Sequence, residues 1–391
     1  MKIPLMKNAF LEESDTRKAL AEFVLSSPRL SMDKKCKEFE DEFARTQGRQ
    51  FAVLFNSGGS ANLALLQALK NLNRLDDDDE VGFSALTWST NTMPIIQLGM
   101  KPVAIDCNIS TLNVMSQNLL SRLDQTKLKA FFVTNVLGFA GDMDKIRKLC
   151  SDKNIILIED NCESLGTELY NNKTGNFGLA STFSFFVAHH MSTIEGGMVC
   201  TDDSELAQML KIVRANGWDR NLSIDEQFFL RNKFSIGSDF IAKYSFYDLG
   251  YNLRPTEITG FIGLTQLPHL SKTINARAEN FERLEKVSTL NDDFRKLDHS
   301  HIDKLSSFAF PVVCNTQEIR DLYLNKFQKA GVEVRPLIAG NMQRQPFYEK
   351  YVDKIYDLPG ADFLHNCGFY FGNYPELTDS DIQLLQECLS K

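Results

Sequence analysis

The sequence predicts an α/β protein: a mostly parallel sheet flanked by helices, followed by a smaller α+β unit at the C-terminal end. Three observations predict it. Short β-rich apolar runs alternate with helical patterns through the first 260 residues, and strand–helix alternation on that scale builds a parallel sheet covered on both faces. Near residue 265 the pattern changes to a long charged helical stretch with a few further elements. With 391 residues, 43% hydrophobic and 24% charged, the chain can bury a core without disulfide or metal staples. The expected division is a large unit over 1–264, with a helical segment at its start, and a small unit over 265–391.

Taken in order, 51–55 (FAVLF) reads as a strand, and Asn56-Ser57-Gly58-Gly59-Ser60 leads from it into a helix over 61–70. The run Asp76-Asp77-Asp78-Asp79-Glu80 reads as a solvated loop before a strand at 81–85. Further strands are expected at 102–106, 130–134, 155–159, 182–186 and 197–201. In the last third, a helix over about 270–290 leads to a strand at 308–314, a helix at 317–329 and a strand at 332–337. No internal repeat or low-complexity tract interrupts the pattern.

Composition narrows the function classes. The 51 acidic residues outnumber 43 basic ones, giving a formal charge of -8. That balance argues against nucleic acid or an anionic membrane as the main partner, while leaving room for a local phosphate pocket. No apolar run reaches the ~18–20 residues of a membrane helix. The opening residues soon turn acidic at Glu12, Glu13 and Asp15, without a signal-peptide core. The eight cysteines show no CxxC-type spacing, so neither a zinc ribbon nor a local iron–sulfur motif is expected. Scattered thiols without a secretion signal fit a reducing cytoplasm.

Four segments carry chemistry. The Ser/Gly turn at 56–60, between strand and helix, offers free backbone N–H groups and a helix dipole to a phosphate, although such a turn is often only a turn. Trp88, beyond the 81–85 strand, can stack on a planar ring or pack in the core. The run Ile155-Ile156-Leu157-Ile158-Glu159-Asp160 delivers carboxylates to the C-terminal end of a buried strand, where α/β sheets bind ligands. Asp160 can pair with a protonated ring nitrogen, or cap a helix. Last, Ser184, His189 and His190 precede Glu195-Gly196-Gly197. Adjacent histidines can ligate a metal, but no carboxylate or cysteine stands at a familiar metal spacing, so no metal is expected.

The order of these segments resembles the pyridoxal-phosphate sugar aminotransferases of fold type I, the DegT/DnrJ/EryC1/StrS family. The likeness continues through Gly250-Tyr251-Asn252-Leu253-Arg254-Pro255-Thr256-Glu257, then Gly263 and Gln266-Leu267, and reaches Val334-Arg335-Pro336 with Gly340-Asn341. One departure stands out. Family aminotransferases hold the cofactor as a Schiff base on a lysine at the position of His189, and this chain has no lysine between Lys173 and Lys211. A histidine pair before Glu-Gly-Gly is similar to the family's 3-dehydratases of dideoxysugar biosynthesis, as are 159–164 and 214–222. A sister group carries a cysteine-ligated iron–sulfur cluster, but no cysteine lies between Cys200 and Cys314 here, so no cluster is expected.

The resemblance implies non-covalently bound pyridoxal 5'-phosphate or pyridoxamine 5'-phosphate. The implied substrate is a nucleoside diphosphate 4-keto-6-deoxyhexose that loses its C3 hydroxyl, with GDP the nucleotide the likeness favours. L-glutamate is the implied amino donor, and a homodimer with shared active sites the implied assembly. By the same carry-over His189 is the base, and Gly58, Gly59 and Ser184 hold the cofactor phosphate. Trp88 stacks on the ring, Asp160 meets its nitrogen, and Glu163 lies near its hydroxyl or the substrate. Asn252 reaches the neighbouring subunit's cofactor phosphate. Arg220 and Arg335 are candidates for the diphosphate or the glutamate carboxylate, with a salt bridge as the alternative for each. His190 is a candidate substrate contact, with packing, or the catalytic role itself, as alternatives. Three rival functions remain: an aminotransferase using another lysine, a clustered dehydrase, and a non-catalytic nucleotide-sugar-binding regulator.

Overall fold

The computed structural model describes residues 2–391. Its centre is a seven-stranded sheet of β1 (Phe51–Phe55), β2 (Glu80–Ser84), β3 (Lys101–Ile105), β4 (Leu128–Thr134), β5 (Ile156–Asp160), β6 (Ala180–Ser184) and β7 (Gly197–Thr201), in the order β1-β7-β6-β5-β4-β2-β3. Strands β3, β2, β4, β5 and β6 run parallel, and β7 is antiparallel to both neighbours, so one strand of seven is reversed. The mostly parallel sheet read from the alternation is therefore present.

Side-chain alternation splits the core between two faces. Val53, Phe55 and Val199 join one cluster with Ala61, Leu65 and Leu69 of the helix Gly58–Asn71. Ala52, Leu54, Met198 and Cys200 join another with Phe39 and Phe43 of the helix Lys34–Gln47. Every residue of β6 and β7 is buried, as a sheet covered on both sides requires.

The C-terminal part forms a second, antiparallel sheet of β8 (Ala309–Val313), β9 (Val334–Pro336) and β10 (Gly368–Gly372), in the order β8-β10-β9. The helix Leu270–Ser288 leads into it. The chain's start also joins this region: Ile3 bridges Val332, and Leu5 N–H donates to Glu333 at 3.0 Å.

Most strand ends shift by one or two residues from expectation, and three of the shifts have a clear local reason. The first βα helix begins at Gly58 rather than 61, because Ser57 caps it by accepting from Ser60 N–H at 3.1 Å. The sixth strand starts two residues before 182, since its register with β5 opens at Ile158 opposite Ala180. The expected 332–337 strand shrinks to Val334–Pro336, because Gly331 (φ 80°) closes the preceding helix and Leu337 enters a tight turn.

Candidate functional site

The sheet gathers the candidate residues at one edge. Gly197, which opens β7, lies opposite both Phe55 and Ser184, so the Ser/Gly turn, the end of β6 and the Glu-Gly-Gly turn converge there. The approach is close enough to demand glycine. A Cβ on Gly58 would stand 2.7 Å from that of Ser184, and one on Gly197 would collide with the Ser57 carbonyl. The result is a cradle of helix N-terminal N–H groups beside the Ser184 hydroxyl. Gly59 faces Thr90 on the same side.

Asp160 ends β5 with 3% exposure. Its Oδ2 accepts from the Asn62 amide at 3.0 Å and the Asn91 amide at 2.7 Å, and its Oδ1 accepts from Cys162 N–H at 2.9 Å. Two helices thus aim one carboxylate. The helix-cap alternative for Asp160 does not hold, because no helix begins after β5; the Cys162 N–H it accepts belongs to a turn. The adjacent Glu159 alternates to another side and accepts from the N–H groups of Gly175, Phe177 and Gly178, which is structural anchoring. Trp88 stands at the N-terminus of the helix Ser89–Gln97 with 57% of its surface exposed, so it is not core packing.

His189 sits half-buried beyond β6. Its Nδ1 lies 2.7 Å from the Cys162 carbonyl, which can only accept; Nδ1 therefore donates, and Nε2 keeps its lone pair. Burial lowers its pKa to about 4, against a weaker opposing pull from the Cys162 hydrogen bond and Asp160. His190 is only 3% exposed, and its Nε2 lies 3.0 Å from the Ser306 carbonyl. That placement favours the packing alternative over substrate contact. Glu163 accepts from Leu137 N–H at 2.9 Å through Oε2, and burial pushes its pKa up to about 8, helped by the Asp160 charge. Among the described residues no cluster of histidine, cysteine or carboxylate side chains is arranged to hold a metal ion.

The remaining candidates lie apart. Asn252 and Arg220 line a separate groove of about 890 Å³ with Arg29, Lys34, Lys37 and Arg254, a lining that includes neither His189 nor Asp160. Asn252 is exposed, while the next residue, Leu253, accepts from Asn56 N–H at 3.0 Å at the start of the Ser/Gly turn. Arg220 is exposed and stacks over Trp218 at 4.6 Å. Arg335, on β9, pairs with Glu333 and stands opposite Tyr370, a phenol influenced by both Glu163 and Arg335.

Residues the sequence reading did not assign complete the site. Asn62 follows Gly58 by four and Asn91 follows Trp88 by three, which is one helical turn inward in each case. An amide at such a spacing was a usable signal. Phe308, whose ring centroid lies 5.1 Å from that of His189, and Arg277 come from the C-terminal part and had none.

Fold and edge together define a fold type I enzyme frame. The model of the DegT/DnrJ/EryC1/StrS aminotransferase family matches residues 12–390, and the chain belongs to that family. It is 34% identical over 381 residues to the GDP-4-keto-6-deoxy-D-mannose 3-dehydratase of Escherichia coli O55:H7 (strain CB9615 / EPEC), covering 94% of each chain. A GDP-4-keto-6-deoxymannose-3-dehydratase mutant solved with bound GDP-perosamine is similar at TM-score 0.90 and 31% identity, over 99% of this chain and 100% of that one. The same enzyme solved with a trapped PLP-glutamate geminal diamine is similar at TM-score 0.89 and 33% identity, over 99% and 100%.

Proposed function

We propose that the chain is a pyridoxamine 5'-phosphate-dependent 3-dehydratase. It removes the C3 hydroxyl of a nucleoside diphosphate 4-keto-6-deoxyhexose, with GDP-4-keto-6-deoxy-D-mannose as the favoured substrate. The observation that carries this reading is a free-base histidine, not a lysine, at the edge where the family's cofactor lysine stands.

The residues present fit the cofactor. The Gly58–Ser184 approach leaves a cradle with N–H groups and a hydroxyl for its phosphate. Asp160 is a fixed carboxylate for its ring nitrogen, and Trp88 offers an exposed flat face. When bound, the cofactor supplies the electron sink that lets hydroxide depart from a carbon next to a carbonyl. Everything else falls to the chain. Asn62 and Asn91 hold Asp160 in one orientation. The Cys162 carbonyl fixes the His189 tautomer, so Nε2 takes the proton, and the depressed pKa keeps that lone pair available across the neutral range. An imidazole also cannot capture the cofactor aldehyde as a lysine amine does. Glu163, with a pKa of about 8, holds a proton at neutral pH and can donate within the site.

Overall the exchange balances as keto sugar plus L-glutamate giving the 3-deoxy-4-keto sugar, 2-oxoglutarate and ammonia, with glutamate as the amino donor for the bound cofactor. Asn252 and Arg220 serve the cofactor or diphosphate of the neighbouring copy in a homodimer; their exposure in a basic groove apart from His189 supports this. Arg335, near Glu163 through Tyr370, is the candidate for a carboxylate or diphosphate in its own subunit. The enzyme works in the cytoplasm, where nucleotide sugars are made. Incubating the chain with cofactor, glutamate and the 4-keto-6-deoxy sugars of GDP, CDP, UDP and dTDP tests the proposal by mass spectrometry. Loss of one oxygen from one of them is expected. A product that keeps its oxygen and gains an amine makes the chain an aminotransferase instead.

A further inference from the structure

Behind the histidine pair lies a buried cation that the reaction does not consume. Arg277, on the helix Leu270–Ser288, is 1% exposed, and the carboxylate that acts on it, Glu376, forms no ion pair with it. A guanidinium so buried must satisfy its donors otherwise. Its Nη1 donates to the Phe308 carbonyl at 2.5 Å and to the Asn373 carbonyl, and its Nη2 reaches the His189 carbonyl at 3.5 Å. Asn373 returns the contact by donating to the Arg277 carbonyl at 2.9 Å. Phe308 is the residue whose ring packs on His189.

Beside this junction is a cavity of about 30 Å³ lined by His190, Arg277 and Glu376. His190 Nδ1, Arg277 Nε and Glu376 Oε2 are all buried polar atoms without a protein partner. A polar space of that size admits a water, whose donors and acceptors match such a set.

We infer that Arg277 is a positioning residue for His189: it fastens the carbonyls around the imidazole from behind, with water in the adjoining cavity completing its contacts. The inference rests on the dehydratase reading for its kinetic consequence, but the geometry concerns only this chain's own residues. The groups that face His189 are Asp160 and Cys162 from β5 and its turn, His190 from its own segment, and Arg277 from the long helix; Glu376 faces Arg277 in turn. Removing the guanidinium thus loosens the ring and withdraws a cation that opposes its protonation.

The test compares the full chain with Arg277→Lys and Arg277→Met. One readout is the 15N spectrum of the imidazoles without cofactor, with the His189 signal assigned by its loss in His189→Gln. The other is dehydration kinetics with cofactor loaded. For Arg277→Lys we expect the Nδ1–H signature of His189 to move toward tautomer averaging. Its kcat should fall by ~10–100-fold, the scale of a small misplacement, with KM for the sugar within about threefold. For Arg277→Met the acid limb of the rate profile should also move to higher pH, and lysine should reverse that shift. A folded Arg277→Lys that keeps the parent's His189 spectrum overturns the inference, as does one that keeps the parent's kcat. If Arg277→Met does not fold, the lysine variant decides alone. If the parent fails to dehydrate while the spectra respond as expected, the functional reading fails and the positioning stands.

Discussion

The strand edge around Asp160 and His189 differs in kind from the segment over 222–249. At the edge, each buried candidate side chain has a named partner: Asp160 has three donors, His189 a carbonyl and Glu163 a backbone N–H. In the other region Phe228, Phe229, Phe240, Tyr244 and Phe246 stand exposed on short helices and loops, next to the groove that holds Arg220 and Asn252. The edge is nearly complete within one chain. The aromatic segment gains burial only when another surface covers it. On the proposed reading, one copy supplies the phosphate cradle, ring orientation and proton transfer, and the exposed Asn252 and Arg220 add contacts to the neighbouring copy's site.

Four substitutions or conditions break or sharpen the contrast, from the largest effect down. His189→Gln keeps a polar side chain but removes the base. Dehydration should fall by at least ~10²-fold in steady-state assays, while cofactor binding, followed by absorbance, stays within a few-fold. Asn91→Ala takes one of two amides from Asp160 Oδ2, and leaving a buried acceptor short of a donor costs roughly 1–3 kcal/mol. Cofactor affinity measured by fluorescence quenching should weaken about tenfold, with Asn62→Ala behaving alike.

The third prediction concerns pH. His189 and His190 are held below the ordinary value of 6.5 by burial, so the unfolded chain binds protons that the native chain refuses as pH falls from about 6.5 toward 4. Stability, read from urea midpoints, should drop on that side. Glu163 acts in the opposite direction, since its raised pKa makes the native state hold a proton up to about pH 8 and lose that advantage as pH rises. Its contribution declines from about pH 4.5 to 8, so Glu163→Gln should flatten the fall in stability above pH 6.5 and steepen the acid side, where the histidines act in the opposite sense. The smallest effect belongs to the neighbouring region. Asn252→Ala should lower activity several-fold, and mixing it with His189→Gln should restore part of it through hybrid dimers carrying one intact site. Mixed variants with only summed activities would mean each chain builds its site alone.

Much of the edge was legible because strand ends and tight turns have local signatures. Ser57-Gly58-Gly59, Asp160 and Ser184 each lie within two residues of a strand end or helix start that hydrophobic runs mark out. His189 was legible by its offset from Ser184 and Glu195. What the sequence did not reveal depends on residues far apart in the chain. Phe308 packs on His189 across 119 positions, and Arg277 reaches the same loop across 88. Neither has a period or motif that points to a histidine. The inward placement of His190 was hidden for the same reason, since only the Ser306 carbonyl explains it. Exposure was likewise unreadable for Trp88, where stacking and core packing predict the same residue type and the fold alone separates them.

The central claim is that a free imidazole stands where this family's lysine holds the cofactor. Borohydride reduction of the pyridoxal-loaded chain, followed by digestion and peptide mass spectrometry, tests it most directly when the parent is compared with His189→Lys. The account predicts no pyridoxyl-lysine anywhere in the parent and a stoichiometric adduct on residue 189 of the variant. A stoichiometric adduct on any lysine of the parent would contradict it.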